Sequence, residues 1–147
     1  MGRFGTGMRV WLRALLALVL MAGVAQAQDV SVPEAPWQDV ITAQVEAFRA
    51  ADAPEAFRYA AAPFQRAFPD AETFLITIVG SGYGPIMSST SHSFGAFAQI
   101  DARSMAQQVM FTGRDLSRHE AIYVLTEEDG GWRVSGVQLV KAPGMGV

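Results

Sequence analysis

The sequence predicts an α+β fold, with about three N-terminal helices packed on an antiparallel sheet of about four strands. Three observations predict it. Apolar residues recur at helical spacing from Trp37 to Val79; the chain after Gly84 turns to β-rich and alternating runs; and its last segment carries the turn chemistry of a β-hairpin. Helices first and strands afterwards is the signature of helices laid on one face of an antiparallel sheet. Half of the 147 residues are hydrophobic and none is cysteine, so the fold must be held by packing, without disulfides or zinc-thiolate sites.

The first helix is expected over about Trp37–Ala50, because Trp37, Ile41, Val45 and Phe48 fall on one stripe while Gln38, Asp39, Thr42, Glu46 and Arg49 fill other positions. In "DAPEAF", Asp52 caps a second helix, Pro54 sits in its first turn and Glu55 lies at capping-box spacing. Pro63 cannot continue the backbone ladder, so this helix should stop near Ala62. The stretch "PFQRAF" is then read as a short turn carrying Phe64 and Phe68 to the core. A third helix starts after Pro69, capped by Asp70, with Phe74, Leu75, Ile78 and Val79 inward, and ends in the glycine-rich "GSGYG".

The strand half is less even. "IMSSTSHSF" reads as a weak, polar edge strand. "FAQI" and "SMAQQVMFTG" flank the turn at Asp101–Arg103, with Val109 and Phe111 alternating with Gln108 and Met110. The clearest hairpin is "HEAIYVLTEEDGGWRVSGVQLVK", turning at Glu128–Gly131. Strict alternation in its last strand puts Trp132, Val134, Gly136, Gln138 and Val140 on one face and Arg133, Ser135, Val137, Leu139 and Lys141 on the other.

Ahead of the domain, Arg3, Arg9 and Arg13 precede the apolar run "ALLALVLMAGV" and the small-residue signature "AQA". The run is shorter than the roughly 20 apolar residues of a membrane span, so residues 1–27 read as a secretory signal peptide cleaved after Ala27. Residues 28–36, with two prolines, read as a flexible lead-in, residues 37–142 as the domain and 143–147 as a tail. Removing three arginines and no acid moves the net charge from −3 to −6. A scattered, acidic balance excludes a nucleic-acid face and, after signal cleavage, a membrane surface.

The pattern across "VITAQVEAFRAADAPEAFRYAAAPFQ", the helix exit "FLITIVGSGYGPI" and the terminal "YVLTEEDGGWRVSGVQLV" resembles the nuclear-transport-factor-two-like, or cystatin-like, superfold. Within it the chain resembles domain-of-unknown-function family 4864 of exported bacterial proteins, over about Val40 to Val140. The resemblance implies a cone-shaped α+β fold whose helices and curved antiparallel sheet enclose an apolar cavity, in which enzymes of the superfold place an acid, a base or a tyrosine. It brings no active residues with it.

The polar groups that could meet in such a cavity are Tyr59, Tyr83, His92, Asp101, Asp115, His119 and Tyr123. His92, in "SSTSHSF", is the candidate general base, with Asp101 or Tyr83 as partner; the bland alternatives are an edge histidine and turn chemistry at Asp101 and Asp115. Tyr83, flanked by glycines, either rims a pocket or plugs the seam between helices and sheet. Tyr123 is expected in the core or on the sheet face, its hydroxyl reaching a partner at the edge. Tyr83, Tyr123, Trp132 and Gln138 form the candidate ligand or interface set. Glu127, Glu128 and Asp129 read as a solvated acidic tip. The two histidines lack carboxylates at ligand spacing, and "GSGYG" follows a helix instead of a strand, so neither a metal nor a nucleotide cofactor is expected.

The expectation for function is a non-enzymatic exported module. It would bind a small apolar or amphipathic ligand, or pair as a homodimer or with an envelope protein through its sheet. The rival is a small cofactor-free acid-base enzyme, an isomerase or dehydratase, which requires His92, Asp101 and Tyr83 to converge.

Overall fold

The computed structural model describes residues 35–140. The expected signal peptide, most of the lead-in and the C-terminal tail lie outside the described residues. Four helices of at least six residues come first: α1 (Pro36–Arg49), α2 (Ala53–Arg58), α3 (Ala62–Ala67) and α4 (Ala71–Ile78). A wide kinked turn, Val79–Tyr83, and a single helical turn, Gly84–Met87, lead into β1 (Ser89–Asp101), β2 (Ser104–Gly113), β3 (Arg118–Glu128) and β4 (Gly131–Val140). The four strands form an antiparallel meander in the order β1-β2-β3-β4.

The two best helices follow from their sequence. α1 buries Trp37, Ile41, Val45 and Phe48 as its stripe demands, and adds Gln44 and Ala47. α4 starts where Asp70 accepts the Thr73 N–H at 2.7 Å; that bond holds the Asp70 carboxyl below its ordinary value. Asp52 caps α2 in the same way, accepting from Glu55 N–H at 3.2 Å.

The segment between α2 and α4 corrects the expected turn. α2 ends at Arg58, Tyr59 still holds helical dihedrals, and Ala60 bridges β4, with Val134 N–H donating to Tyr59 O and Ala61 N–H to Val134 O, both at 2.8 Å. Pro63 then begins α3 instead of merely ending α2, since proline is tolerated in a first turn where no N–H is needed. The free N–H of Ala62 is taken by the Glu128 carboxylate at 2.9 Å. Glu128 is therefore docked, and the hairpin tip is not simply a solvated acidic run. A second correction concerns "GSGYG": Gly82 does turn the chain, at φ +97°, but Gly84 resumes helical geometry before the sheet begins.

In the sheet, "IMSSTSHSF" and "FAQI" are parts of one thirteen-residue edge strand with register shifts at three places. β2 and β3 alternate cleanly, with Met105, Gln107, Val109 and Phe111, and then Ala121, Tyr123 and Leu125, buried against the helices. β4 departs from strict alternation. Val124 pairs with Gly136 and Leu125 with Val134, so Ser135 is an extra residue in a bulge. A one-residue insertion reverses the facing of everything beyond it. Trp132, Val134, Val137 and Leu139 consequently all pack on the core, while Gln138 is exposed on the other face.

One buried polar side chain ties the layers together. Gln107, fully buried, accepts from Trp37 Nε1–H at 2.9 Å and from Gln38 Nε2 at 3.0 Å. Its own amide nitrogen donates to Gly95 O at 3.1 Å and Gln108 O at 2.9 Å. The carbonyl at Gly95 lies within the Phe94–Phe97 register shift of β1. Gln107 thus satisfies backbone that a bulge leaves without a ladder partner. Trp37 completes the corner, edge-on to Phe97 at 5.2 Å and to Trp132 at 5.7 Å.

Candidate functional site: an apolar cavity and a neighbouring arginine–histidine cluster

The aromatic residues of the helices gather around Phe74 of α4, with Phe57, Phe68, Phe48 and Phe64 at centroid distances from 5.0 to 6.2 Å. Rigid rings of this size, set on four short helices, do not close fully onto the bulged strand β4. Between them is a cavity of ≈ 190 Å³, walled by Phe48, Phe64, Phe74, Ile78 and Ile86 on the helix side and by Tyr123, Val134, Gly136 and Val137 on the sheet side. The β4 bulge shapes that wall, because it aligns Val134 and Val137 on the same side.

Three polar side chains reach this apolar space. Gln44 is committed elsewhere, its amide donating to Ala56 O at 3.0 Å. Tyr83 lines the cavity and donates its hydroxyl to Val137 O at 2.7 Å. It therefore both rims the pocket and pins the single helical turn to β4. Tyr123 is 0% exposed, and its hydroxyl has no hydrogen-bond partner among the described residues. Burial pushes the Tyr123 phenol well above its ordinary pKa; the Arg49 charge works against that shift and the neighbouring Tyr83 adds to it. The phenol is accordingly a neutral donor at every physiological pH. The expectation that its hydroxyl would find a partner at the sheet edge is corrected: β3 is a central strand, and no described residue hydrogen-bonds the group.

His92 lies elsewhere, on the inward face of β1 against α1. Arg49 Nη2 approaches His92 Nδ1 at 3.2 Å, and His92 Nε2 lies 3.0 Å from Thr42 Oγ1. A guanidinium can only donate, so Nδ1 accepts and Nε2 carries the proton toward Thr42. Burial first, and the Arg49 charge second, depress the His92 pKa, opposed by Glu46. Arg49 is itself oriented by Ser89, whose Oγ accepts from Nε at 3.1 Å and Nη2 at 3.0 Å while donating to Ile86 O at 2.6 Å.

The other expected site residues are dispersed. Asp101 sits in the β1–β2 turn, accepting the Arg103 N–H at 2.8 Å. Asp115 accepts Ser117 N–H at 3.0 Å in the β2–β3 turn, and its bonds to Ser117 lower its pKa. His119 opens β3 opposite Phe111. Tyr59 precedes the bridge to β4, its ring beneath the Arg58 guanidinium at 5.7 Å. Trp132 packs edge-on against Trp37, and Gln138 lies on the opposite sheet face. His92, Asp101 and Tyr83 share no hydrogen-bond partner. What the structure brings together is Tyr83 with Tyr123, in one cavity, and His92 with Arg49, Ser89 and Thr42. Arg49, Ser89 and Thr42 were not singled out from the sequence, where nothing marks a surface-looking arginine as the partner of a histidine 43 residues away. Among the described residues no three His, Cys, Asp or Glu side chains are grouped as a metal set, and no helix is long and apolar enough to cross a membrane.

A family model described as a domain of unknown function (DUF4864) matches residues 31–147. No curated protein matches the chain. A solved structure described as a "known function protein" from Kribbella flavida DSM 17836 is similar at 17% identity, over 69% of this chain and 83% of that one, with a TM-score of 0.43. At that level the likeness carries no weight for function.

Proposed function

Because the chain belongs to the DUF4864 family of domains of unknown function, we infer its role from the cavity itself: the protein binds a compact apolar molecule carrying one hydrogen-bond acceptor. The observation behind this reading is Tyr123, a residue of the sheet-side wall of an apolar cavity of ≈ 190 Å³, whose buried hydroxyl has no hydrogen-bond partner among the described residues. A buried donor left unmade costs about 1–3 kcal/mol. A ligand carbonyl or ether would recover that cost. The volume suits a single ring or short branched chain, since an apolar cavity of about 150 Å³ already admits benzene.

The binding reading is favoured over an acid-base enzyme because the cavity holds no titratable base. Tyr83 and Tyr123 are both phenols, and His92 is engaged with Arg49 and Thr42. The nuclear-transport-factor-two-like superfold would supply a cavity in this position; its support here is the order of helices before a four-stranded antiparallel meander. Export is part of the same proposal, supported by the arginine-led apolar run and the "AQA" signature at residues 25–27. The mass of the mature protein tests it: a chain beginning at Gln28 is expected, and an intact N-terminus would refute export.

Binding is tested with acetophenone and its hydrocarbon isostere α-methylstyrene, following the methyl resonances of Ile78, Ile86 and Val134. Both probes should shift these methyls, and the ketone should bind roughly fivefold to tenfold more tightly through its acceptor. In Tyr123→Phe the preference should vanish. No shift with either probe, or equal affinities in the parent protein, would sink the assignment.

A further inference from the structure

We propose that Arg49 anchors a second site, independent of the cavity, which binds a carboxylate-bearing small molecule in the groove between the end of α1, the start of β1 and the β2–β3 turn. Arg49, Ser88, Ser89, Thr90, Arg114 and Asp115 line this groove, whose volume is ≈ 560 Å³, and none of them lines the apolar cavity.

The first observation is a half-buried cation without a counterion among the described residues. Every partner of Arg49 is neutral: the Ser89 hydroxyl takes Nε and Nη2, and the acceptor nitrogen of His92 takes Nη2. The single ion pair among the described residues joins Arg58 to Glu55. Glu46, one turn back on α1 and near enough to act on His92, makes no ion pair with Arg49. Nη1 makes no hydrogen bond among the described residues. A desolvated charge is ordinarily paired, and a guanidinium held by two of its nitrogens presents the remaining N–H groups in a fixed direction.

The second observation is the orientation itself. Ser89 directs its own proton to Ile86 O at 2.6 Å, so its oxygen is free to accept from the guanidinium. His92 is oriented by Thr42 at 3.0 Å. Two neutral side chains from β1 thus hold the charged fork of α1 in one position without cancelling its charge, which is how a binding arginine is prepared for a planar oxyanion.

The third is the charge of the groove. Arg49 and Arg114 supply two positive charges and Asp115 one negative, with the Asp115 carboxylate already engaged by Ser117 N–H at 3.0 Å. The net of one positive charge matches a monoanion. It is poorly matched to a phosphate dianion, which Asp115 would repel. The hydroxyl of Ser88, exposed on the groove wall, adds a neutral donor for a carboxylate's further lone pairs, whereas that of Thr90 already donates to Thr112 O at 3.2 Å.

The test is a titration of the folded protein with sodium benzoate, sodium phosphate and sodium chloride at matched ionic strength. It follows the Arg49 Nε–H signal and the Ser88–Thr90 amides. Benzoate should shift these saturably and phosphate more weakly, whereas chloride should give only a small linear drift. Arg114→Gln, an exposed position, should weaken benzoate binding several-fold, and Arg49→Lys, which keeps the charge but loses the fork, by roughly tenfold. Identical curves for benzoate and chloride would reduce the effect to screening and overturn the proposal. So would unchanged benzoate affinity in both variants. If Arg49→Lys fails to fold, Arg114→Gln still decides. The apolar cavity is unaffected by either outcome, because the acetophenone titration reads different residues.

Discussion

Replacing Tyr123 by phenylalanine should stabilise the ligand-free protein, against the usual direction for a core substitution. The side chain is 0% exposed and its hydroxyl has no hydrogen-bond partner among the described residues. Removing the oxygen abolishes a desolvation cost of about 1–3 kcal/mol. It opens a void of about 10 Å³, which at 24 cal/mol per Å³ returns only about 0.2 kcal/mol. The net is a gain of about 1 kcal/mol or more, equivalent to a rise of about 4–8 °C in Tm for a domain of this size. Tyr83→Phe is the matched comparison: it deletes a phenol on the same cavity, but one that donates to Val137 O at 2.7 Å. That loss should destabilise by about 1 kcal/mol. Urea unfolding of both variants, with unchanged m-values to confirm a common unfolded state, reads the two signs directly. If Tyr123→Phe is destabilised by 1 kcal/mol or more, the hydroxyl is satisfied in solution and the reasoning that makes it a ligand donor fails.

Gln107→Leu strips the acceptor from Trp37 Nε1 and the donor from Gly95 O. It should cost about 2–5 kcal/mol in denaturant unfolding, and a change under 0.5 kcal/mol would show that the hub is dispensable. His92 has a folded pKa below its ordinary 6.5, so the unfolded chain binds the proton more readily. Its contribution is then fully present above about pH 6.5 and is lost as pH falls through the folded value. Stability measured between pH 7 and pH 4 should decline more steeply in the parent protein than in His92→Gln; parallel curves would contradict the depressed pKa.

What the sequence made legible was whatever is written locally. Asp52 and Asp70 announce helix starts through side chains three residues from their targets, and the Glu128–Gly131 turn announces a hairpin. Pro63 was half legible: the rule that it ends one helix is the same rule that lets it open another, and only tertiary support from Glu128 decides between them. The β4 bulge had one local mark, Gly136, which permits a bend without fixing its place, because "RVSGV" is compatible with either register until Leu125 and Val124 choose their partners. At Gln107 there was a signal, since it falls in phase with Met105, Val109 and Phe111, at a position where a polar residue must be satisfied. The Arg49–His92 pairing had none, because it depends on which face of β1 meets α1. Tyr123 was placed in the core by its strand pattern, but the lack of a partner for its hydroxyl is a property of everything around it.

The link between Glu128 and Ala62, with the paired bonds of Val134 to Tyr59 and Ala61, has a consequence for how the molecule comes to exist. A growing chain emerges with its helices first, yet α3 receives its capping carboxylate from a residue 66 positions later. The bridge beside it waits for β4. The helical half therefore cannot reach its final form before Glu128 and β4 have been made, and these late residues lock the first elements. A chain stopped short of Val134 would lack the end of the sheet, and it would also leave Tyr59 and Ala61 without their bridge and the cavity without most of its sheet-side wall.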